Sequence, residues 1–202
     1  MPKSINKLLG DTLVIASHNQ GKVVEINEMV APLSLHAISA AQAGVPEPEE
    51  TGTTFEANAI LKAEHCLAIA NLPSLADDSG LVVPAIGGAP GVYSARWAGP
   101  GKDFTVAFAR IQQELGDKPA DAYFVCMLAL ALPGGKTHCF EGRIHGHLTF
   151  PPRGDKGFGY DPIFIPEGYD VTFGQFDPNT KNAISHRAQA FEKFLTFLKD
   201  NA

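Results

Sequence analysis

Thr12-Leu13-Val14-Ile15-Ala16-Ser17-His18-Asn19-Gln20-Gly21-Lys22 is the stretch on which the fold turns. Thr12 to Ser17 is short, apolar and rich in β-branched residues, the pattern of a buried strand. Asn19, Gln20 and Gly21 make a turn. From Lys22 to Val30 the apolar residues fall at Val23, Ile26 and Val30, which is helical spacing. Strand, tight loop and helix therefore open the chain.

The same alternation continues outward. Leu33 to Ile38 reads as a second strand, and Gly44 to Gly52 as a loop rich in Pro, Glu and Gly. Thr53 and Glu56 have capping-box spacing, so Thr53 is expected to cap a helix running to about Asn71. Its stripe would be Phe55, Ala59, Ala63 and Leu67. Ser74 to Asp77 reads as a strand ending on two carboxylates, with Leu81 to Val83 continuing extended. Asp103 can cap a helix to about Leu115, stopped by Gly116. Ala122 to Leu132 is a strand too apolar for an edge, and Pro133-Gly134-Gly135 turns it back into Lys136 to Ile144. Short strands are expected at His147 to Phe150 and Ile163 to Ile165. A last helix is expected over Ser185 to Lys199, with Ala188, Phe191, Leu195 and Leu198 on one face. The sum is an α/β fold with a mixed sheet.

Composition narrows the function. The chain has 202 residues, enough for one large domain or two small lobes. Hydrophobic residues make up 45% and charged residues 19%, which excludes disorder as the dominant state. Twenty glycines and 15 prolines exceed their usual ~12% share and predict many ordered loops. The net charge of −6 disfavours a partner such as nucleic acid, whose affinity rests on phosphate neutralisation. A few converging cations can still hold a small polyanion. Cys66, Cys126 and Cys139 form no CxxC pair, which excludes zinc-site spacing and a disulfide framework and suits a reducing compartment. Met1-Pro2-Lys3-Ser4 shows no signal-peptide pattern. The longest apolar run, Phe124 to Leu132, is nine residues against the ~20 a membrane span needs. A soluble, cytoplasmic protein without a membrane partner is expected.

Four clusters can carry chemistry. Ser17-His18-Asn19-Gln20-Gly21-Lys22 places a cation and polar groups at a helix N-terminus, which can hold phosphate; an ordinary capped helix start with a surface lysine explains it too. Asp77 and Asp78 at a strand end point to opposite faces, and one of them can serve Mg²⁺, which takes one or two carboxylates plus substrate phosphates. The alternative is an exposed acidic turn. Glu49 and Glu50 lie in a loop and can add a metal contact or remain solvated. In Gly154-Asp155-Lys156-Gly157-Phe158-Gly159-Tyr160-Asp161, glycines allow close backbone approach and the rings can stack on a planar base, or simply fill a tight turn. Lys181 and Ser185-His186-Arg187 bring cations and donors to the start of the last helix, beside its N-terminus, or are an ordinary capped helix with exposed charges. Gly134-Gly135-Lys136-Thr137 mimics the end of a P-loop, but Leu130 stands where that motif needs glycine, and strands flank it. His138, His145 and His147 have no zinc-ligand pattern around them.

Six pieces in one order resemble a known family. They are Ser17-x-Asn19-x-x-Lys22, Glu50-Thr51-Gly52-x-Thr54-Phe55-x-x-Asn58-Ala59, Ala76-Asp77-Asp78-Ser79-Gly80, Gly88-Ala89-Pro90-Gly91-Val92-Tyr93-Ser94-Ala95-Arg96, Gly157-Phe158-Gly159-Tyr160-Asp161-Pro162 and Lys181-Asn182-Ala183-Ile184-Ser185-His186-Arg187. The chain resembles the inosine/xanthosine triphosphate pyrophosphatases. That resemblance implies one elongated α/β domain spanning residues 1–202, with two lobes around a central cleft. It also implies Mg²⁺ as cofactor, a homodimer, and hydrolysis of ITP, dITP and XTP to monophosphate and diphosphate. By the same resemblance Asp78 is proton acceptor and metal ligand, and Glu50 a second metal contact. The residues expected to bind substrate are Ser17, His18, Asn19, Gln20, Gly21, Lys22, Ser79, Phe158, Gly159, Tyr160, Asp161, Lys181, His186 and Arg187. Two stretches depart from the family pattern: Asn179-Thr180 replaces acidic residues, and Phe104 to Leu115 lacks an Asn. Three other readings compete. A pyrophosphatase of modified pyrimidine or methylated nucleotides would lack Ser185 to Arg187. A non-catalytic nucleotide sensor has no need of Glu50 and Asp78. A nucleic-acid module is disfavoured by the charge.

Overall fold

The computed structural model describes residues 9–33 and 35–201. The reading of Met1 to Ser4 and of Ser34 lies outside them. The fold is mixed α/β, with one six-stranded sheet of β1 (Thr12–Ile15), β2 (His36–Ser39), β3 (Ser74–Val82), β4 (Asp121–Ala131), β5 (His138–Leu148) and β6 (Phe164–Pro166), in the order β2-β1-β3-β4-β5-β6. By contacts the chain divides into two compact units. The first holds 1–78, 127–141 and 190–202; the second holds 79–126 and 142–189.

In the first unit, β1 (Thr12–Ile15) pairs in parallel with β2 (His36–Ser39), Thr12 opposite His36 and Ile15 opposite Ser39. Parallel neighbours need a crossover, and α1 (Gln20–Val30) supplies it. On its other side β1 pairs in parallel with the start of β3 (Ser74–Val82), Val14 opposite Ser74 and Ile15 opposite Leu75. β3 therefore outruns β1 and delivers Asp77 and Asp78 beyond the point where that pairing ends. The crossover here is α2 (Phe55–Ala70). Its buried face is Asn58, Ala59, Ala63 and Cys66, small side chains that let it lie close over Val14, Ala76 and Ala129. Phe55 and Leu67 of the expected stripe flank that core, partly buried. Thr54, not Thr53, is the N-cap: its side chain accepts from the Ala57 N–H, and the helix ends on Asn71 in the left-handed conformation. Moving the cap one residue breaks the expected Thr53–Glu56 box.

The second unit is built on rings. Phe124 lies 4.6 Å from Phe164 and 6.1 Å from Phe173, centroid to centroid. Against them pack Ala107, Phe108, Ile111 and Leu115 from a helix spanning Phe104–Leu115. It follows a short helix, α3 (Ser94–Trp97), and is therefore α4. As expected, Asp103 caps it by accepting from the Thr105 N–H, and Gly116 closes it with φ 54°.

β4 (Asp121–Ala131) and β5 (His138–Leu148) are neighbours in the sheet. Their short connection, closed by the Gly135 N–H on the Leu132 carbonyl, permits only an antiparallel pair. β5 is one strand, where the sequence reads as two. Arg143, His145 and His147 are exposed, so the polar residues that interrupt the apolar pattern mark the outer face of a single strand. β6 (Phe164–Pro166) pairs antiparallel with β5, Gly146 opposite Pro166 and Leu148 opposite Phe164. The strand expected from Ile163 starts one residue later, because Asp161–Ile163 is a 3₁₀ turn. The last helix is also two: α5 (Pro178–Ile184), capped by Asp177, precedes α6 (His186–Asp200). The sequence reading missed α5, whose Pro at the first helical position is a start signal. Along α6 the residues buried as core are Ala190, Phe191, Phe194 and Leu198, so Ala188 and Leu195 stand at the margin of the expected face. Among the described residues no helix is long and apolar enough to cross a membrane.

Gly146 tests the β5–β6 pairing. A Cβ there would run into the Ile165 carbonyl and the Phe164 ring. Gly146→Ala is expected to cost about 1–3 kcal/mol, the scale of overpacking, read as a lower urea midpoint. Gly101→Ala, where a Cβ meets nothing within 4 Å, should leave the midpoint within error.

Candidate active site

The first unit gathers charge where β3 outruns β1. The Ala16 N–H still reaches the Leu75 carbonyl at 2.9 Å, so the chain after β1 runs beside β3. Ser17 Oγ then accepts from the Asn19 N–H at 3.2 Å. Asn19 caps α1 by accepting from the Lys22 N–H at 3.3 Å. These two bonds fix the turn and aim Lys22 back at the strand. Its Nζ lies 2.5 Å from Asp77, whose side chain is fully buried. His18 Nε2 is buried and has no partner among the described residues. Gln20 and Gly21 form the first turn of α1.

On the alternate side of β3, Asp78 meets a residue the sequence reading did not single out. Lys62 Nζ donates to Asp78 Oδ1 and to Glu50 Oε1, each at 2.7 Å. Lys62 rides on α2, and its one signal in the sequence is a charge inside the otherwise apolar run Ala59 to Ala63. Asn58, one turn earlier, accepts from the Gly52 N–H at 2.8 Å and ties down the loop that carries Glu50. Gly52 is needed there because a Cβ would strike Asn58. Glu49 is exposed and stands outside this cluster. Burial pushes the Asp78 carboxyl above its ordinary value, and the opposing pull of Lys62 and Lys22 does not cancel it. Burial lowers Lys62, but Asp78 and Glu50 outweigh it and hold the ammonium above its ordinary value. Asp78 Oδ2 is buried without a hydrogen-bond partner among the described residues. A desolvated carboxylate oxygen left in this state costs stability, and a bound cation or a proton would satisfy it.

The second unit gathers a different set. Asp161 Oδ2 accepts from the Phe158 N–H at 2.9 Å and from Lys181 Nζ at 2.7 Å. Lys181 Nζ stands 4.6 Å from the centre of the Phe158 ring. Gly157, with φ 72°, makes the turn possible, since a side chain there would collide with Asp161. Gly159 follows with φ 66°. Phe158 is half-buried, whereas Tyr160 is turned into the core, edge-on to Phe104 at 5.1 Å. Arg187 is 1% exposed; its Nη2 donates to Ser79 Oγ at 3.1 Å, and its Cζ lies 6.0 Å from the Phe158 ring centre. His186 stacks on Phe124 at 4.9 Å. Ser185 Oγ accepts from the Ala188 N–H and starts α6. The first set is two cations on three carboxylates; the second is a half-buried ring bordered by an ammonium and a guanidinium.

Comparison with known proteins agrees along nearly the whole chain. The Ham1 family profile matches residues 13–197. A dITP/XTP pyrophosphatase of Rhodospirillum centenum is 57% identical over 94% of this chain and 95% of its own. One from Caulobacter vibrioides is 50% identical, over 95% of this chain and 100% of its own. Among solved structures, the Ham1 protein of Staphylococcus aureus has a TM-score of 0.86 at 38% identity, covering 95% of this chain and 100% of that one.

The raised Asp78 value has a consequence for stability. The folded state holds this proton more tightly than the unfolded chain, so stability falls as pH rises from the ordinary carboxylate range through the raised value. Asp78→Asn removes that penalty and leaves Lys62 its bond to Glu50. The variant is expected to melt higher than the parent at neutral pH, with the gap closing in acid below the ordinary value, when Asp78 is neutral in both states. Thermal melting across pH checks this; a lower melting point at neutral pH would show that the Lys62 pairing outweighs burial.

Proposed function

The chain belongs to the Ham1 family, and on that footing we propose how its residues divide the hydrolysis of deaminated purine nucleoside triphosphates. It is a hydrolase acting on an acid anhydride: ITP, dITP or XTP and water give the nucleoside monophosphate and diphosphate. The observation that carries the proposal is Asp78, a buried carboxylate raised by burial, bridged to Glu50 through Lys62, with one oxygen unpartnered among the described residues.

In this reading Asp78 takes the proton of the attacking water, and its raised value makes it a better acceptor. The water oxygen bonds to the α-phosphorus, and the bond to the bridging oxygen breaks with its electrons leaving on diphosphate. Lys22 and the α1 N-terminus, with Ser17, His18, Asn19, Gln20 and Gly21, hold the triphosphate as cation and N–H donors. Asp77 keeps the Lys22 ammonium in place. Lys62 steadies both carboxylates and adds a further cation toward the phosphates. Glu50 and Asp78 fit Mg²⁺, which binds through one or two carboxylates plus substrate phosphates and needs no larger protein cage. When bound, it supplies neutralisation of the phosphate charge.

The base is assigned to the second set. Phe158 offers a face for stacking, and His186 and Arg187 offer donors to the C6 carbonyl that hypoxanthine and xanthine carry and adenine lacks. Lys181, Asp161, Gly159 and Tyr160 shape the loop, and Ser79 is held by Arg187. The three free cysteines suit a reducing cytoplasm. The net charge of −6 suits free nucleotides as partners rather than nucleic acid, with no membrane partner. Assembly as a homodimer, with the two units as lobes of one domain, completes the reading.

Diphosphate release from ITP, ATP and GTP, with and without Mg²⁺, tests it. ITP is expected to be cleaved and ATP strongly rejected, since sites built to pair one group reject its mismatch by about 10⁴-fold or more; activity should require the metal. Asp78→Asn should fall at least ~100-fold, the scale of a general base. Near-parental turnover in that variant, correctly folded, would remove Asp78 from the role.

A further inference from the structure

Ser94 lies in none of the groups assigned above, yet it is 6% exposed and uses each of its oxygens. Its Oγ accepts from the Leu81 N–H at 3.0 Å and donates to the Gly91 carbonyl at 2.7 Å. Its own carbonyl accepts from the Tyr160 hydroxyl at 2.8 Å. Leu81 lies two residues after Ser79 on β3, and Tyr160 two residues after Phe158. One serine therefore ties together the strand that carries the Arg187 contact and the loop that carries the stacking ring.

We propose that Ser94 and Tyr160 form a positioning pair that sets the Phe158 ring against the Arg187 guanidinium and so governs base selection. Two anchors follow Phe158 in the loop. Asp161 holds it through the Phe158 N–H, and Tyr160 is clamped by its hydroxyl and by Phe104 and Phe108 at 5.1 and 6.0 Å. At Leu81 a hydroxyl takes the place of a neighbouring strand as the N–H partner. Loss of either bond leaves a buried polar group unpaired. That cost is relieved by moving the loop or the strand, and with it the ring or the arginine. Neither side chain reaches the reacting phosphates in this assignment, so the effect falls on binding and discrimination. This inference rests on the assignment of the base to Phe158.

The test measures kcat and KM for ITP and ATP in Tyr160→Phe, Ser94→Ala and Phe158→Ala, at a temperature well below each variant's melting point. Tyr160→Phe keeps the ring and removes only the hydroxyl, so it is the milder variant if Ser94→Ala folds poorly. The expected result is a KM for ITP about tenfold higher in Tyr160→Phe and Ser94→Ala, the scale of a buried hydrogen bond left unmade, with kcat changing less. The ITP-to-ATP ratio should narrow in both, because the Arg187 donor is displaced from the base, whereas Phe158→Ala should raise KM for ITP and ATP alike, since stacking does not read the base. A purely structural role would lower the melting point and leave that ratio alone. If Phe158→Ala raises both KM values while the other two leave the ratio unchanged, the positioning role is overturned and the base assignment stands. If Phe158→Ala leaves both KM values unchanged, the base assignment fails and this inference falls with it.

Discussion

The contest between burial and two ammonium groups at Asp78 governs the rest of the first unit. A carboxylate withdrawn from water resists ionisation, and Lys62 and Lys22 pull the other way. Burial wins, which leaves a carboxyl raised above its ordinary value, with one of its oxygens unpartnered among the described residues. Such a group is a poor contributor to stability and a good one to chemistry. The surrounding structure serves to hold it there: α2 brings Lys62, Asn58 ties the loop bearing Glu50, and β3 carries the aspartate past the end of β1.

Two neighbouring aspartates serve different ends because a strand alternates. Asp77 pairs with Lys22, which the Asn19 cap has already turned toward it. Asp78 faces Lys62. The second unit works with a different balance, in which Asp161 neutralises Lys181 beside a half-buried ring. Its aromatic core of Phe124, Phe164 and Phe173 backs His186, which stacks on the same Phe124 ring.

Much of this was legible from the chain because local rules and tertiary structure agree. The strand, turn and helix around Ser17 to Lys22 and the Asp103 cap follow from periodicity and capping. Asp77 and Asp78, read as a strand end, lie inside β3, which runs on to Val82 because Ser79 and Gly80 do not break it. The misreadings have physical causes. Thr53 and Thr54 are both able caps, and only packing of α2 selects the second. The polar outer residues of β5 made one strand read as two. Pro178 starts a helix too short to show a stripe. Lys62 escaped notice because a lysine on a helix is ordinarily solvated; what marks it is the company of Glu50 and Asp78, which lie 12 and 16 positions away in sequence.

The titration of the Asp78 carboxyl in the metal-free protein, followed by carboxyl-carbon NMR in the parent and in Lys62→Met, tests the central claim most directly. In the parent the midpoint should lie above the ordinary carboxylate range, as burial of Asp78 requires. Removing Lys62 takes away the largest opposing charge, so the midpoint should move to higher pH. A midpoint within the ordinary range in the parent, or one that stays in place when Lys62 is replaced, would contradict the account.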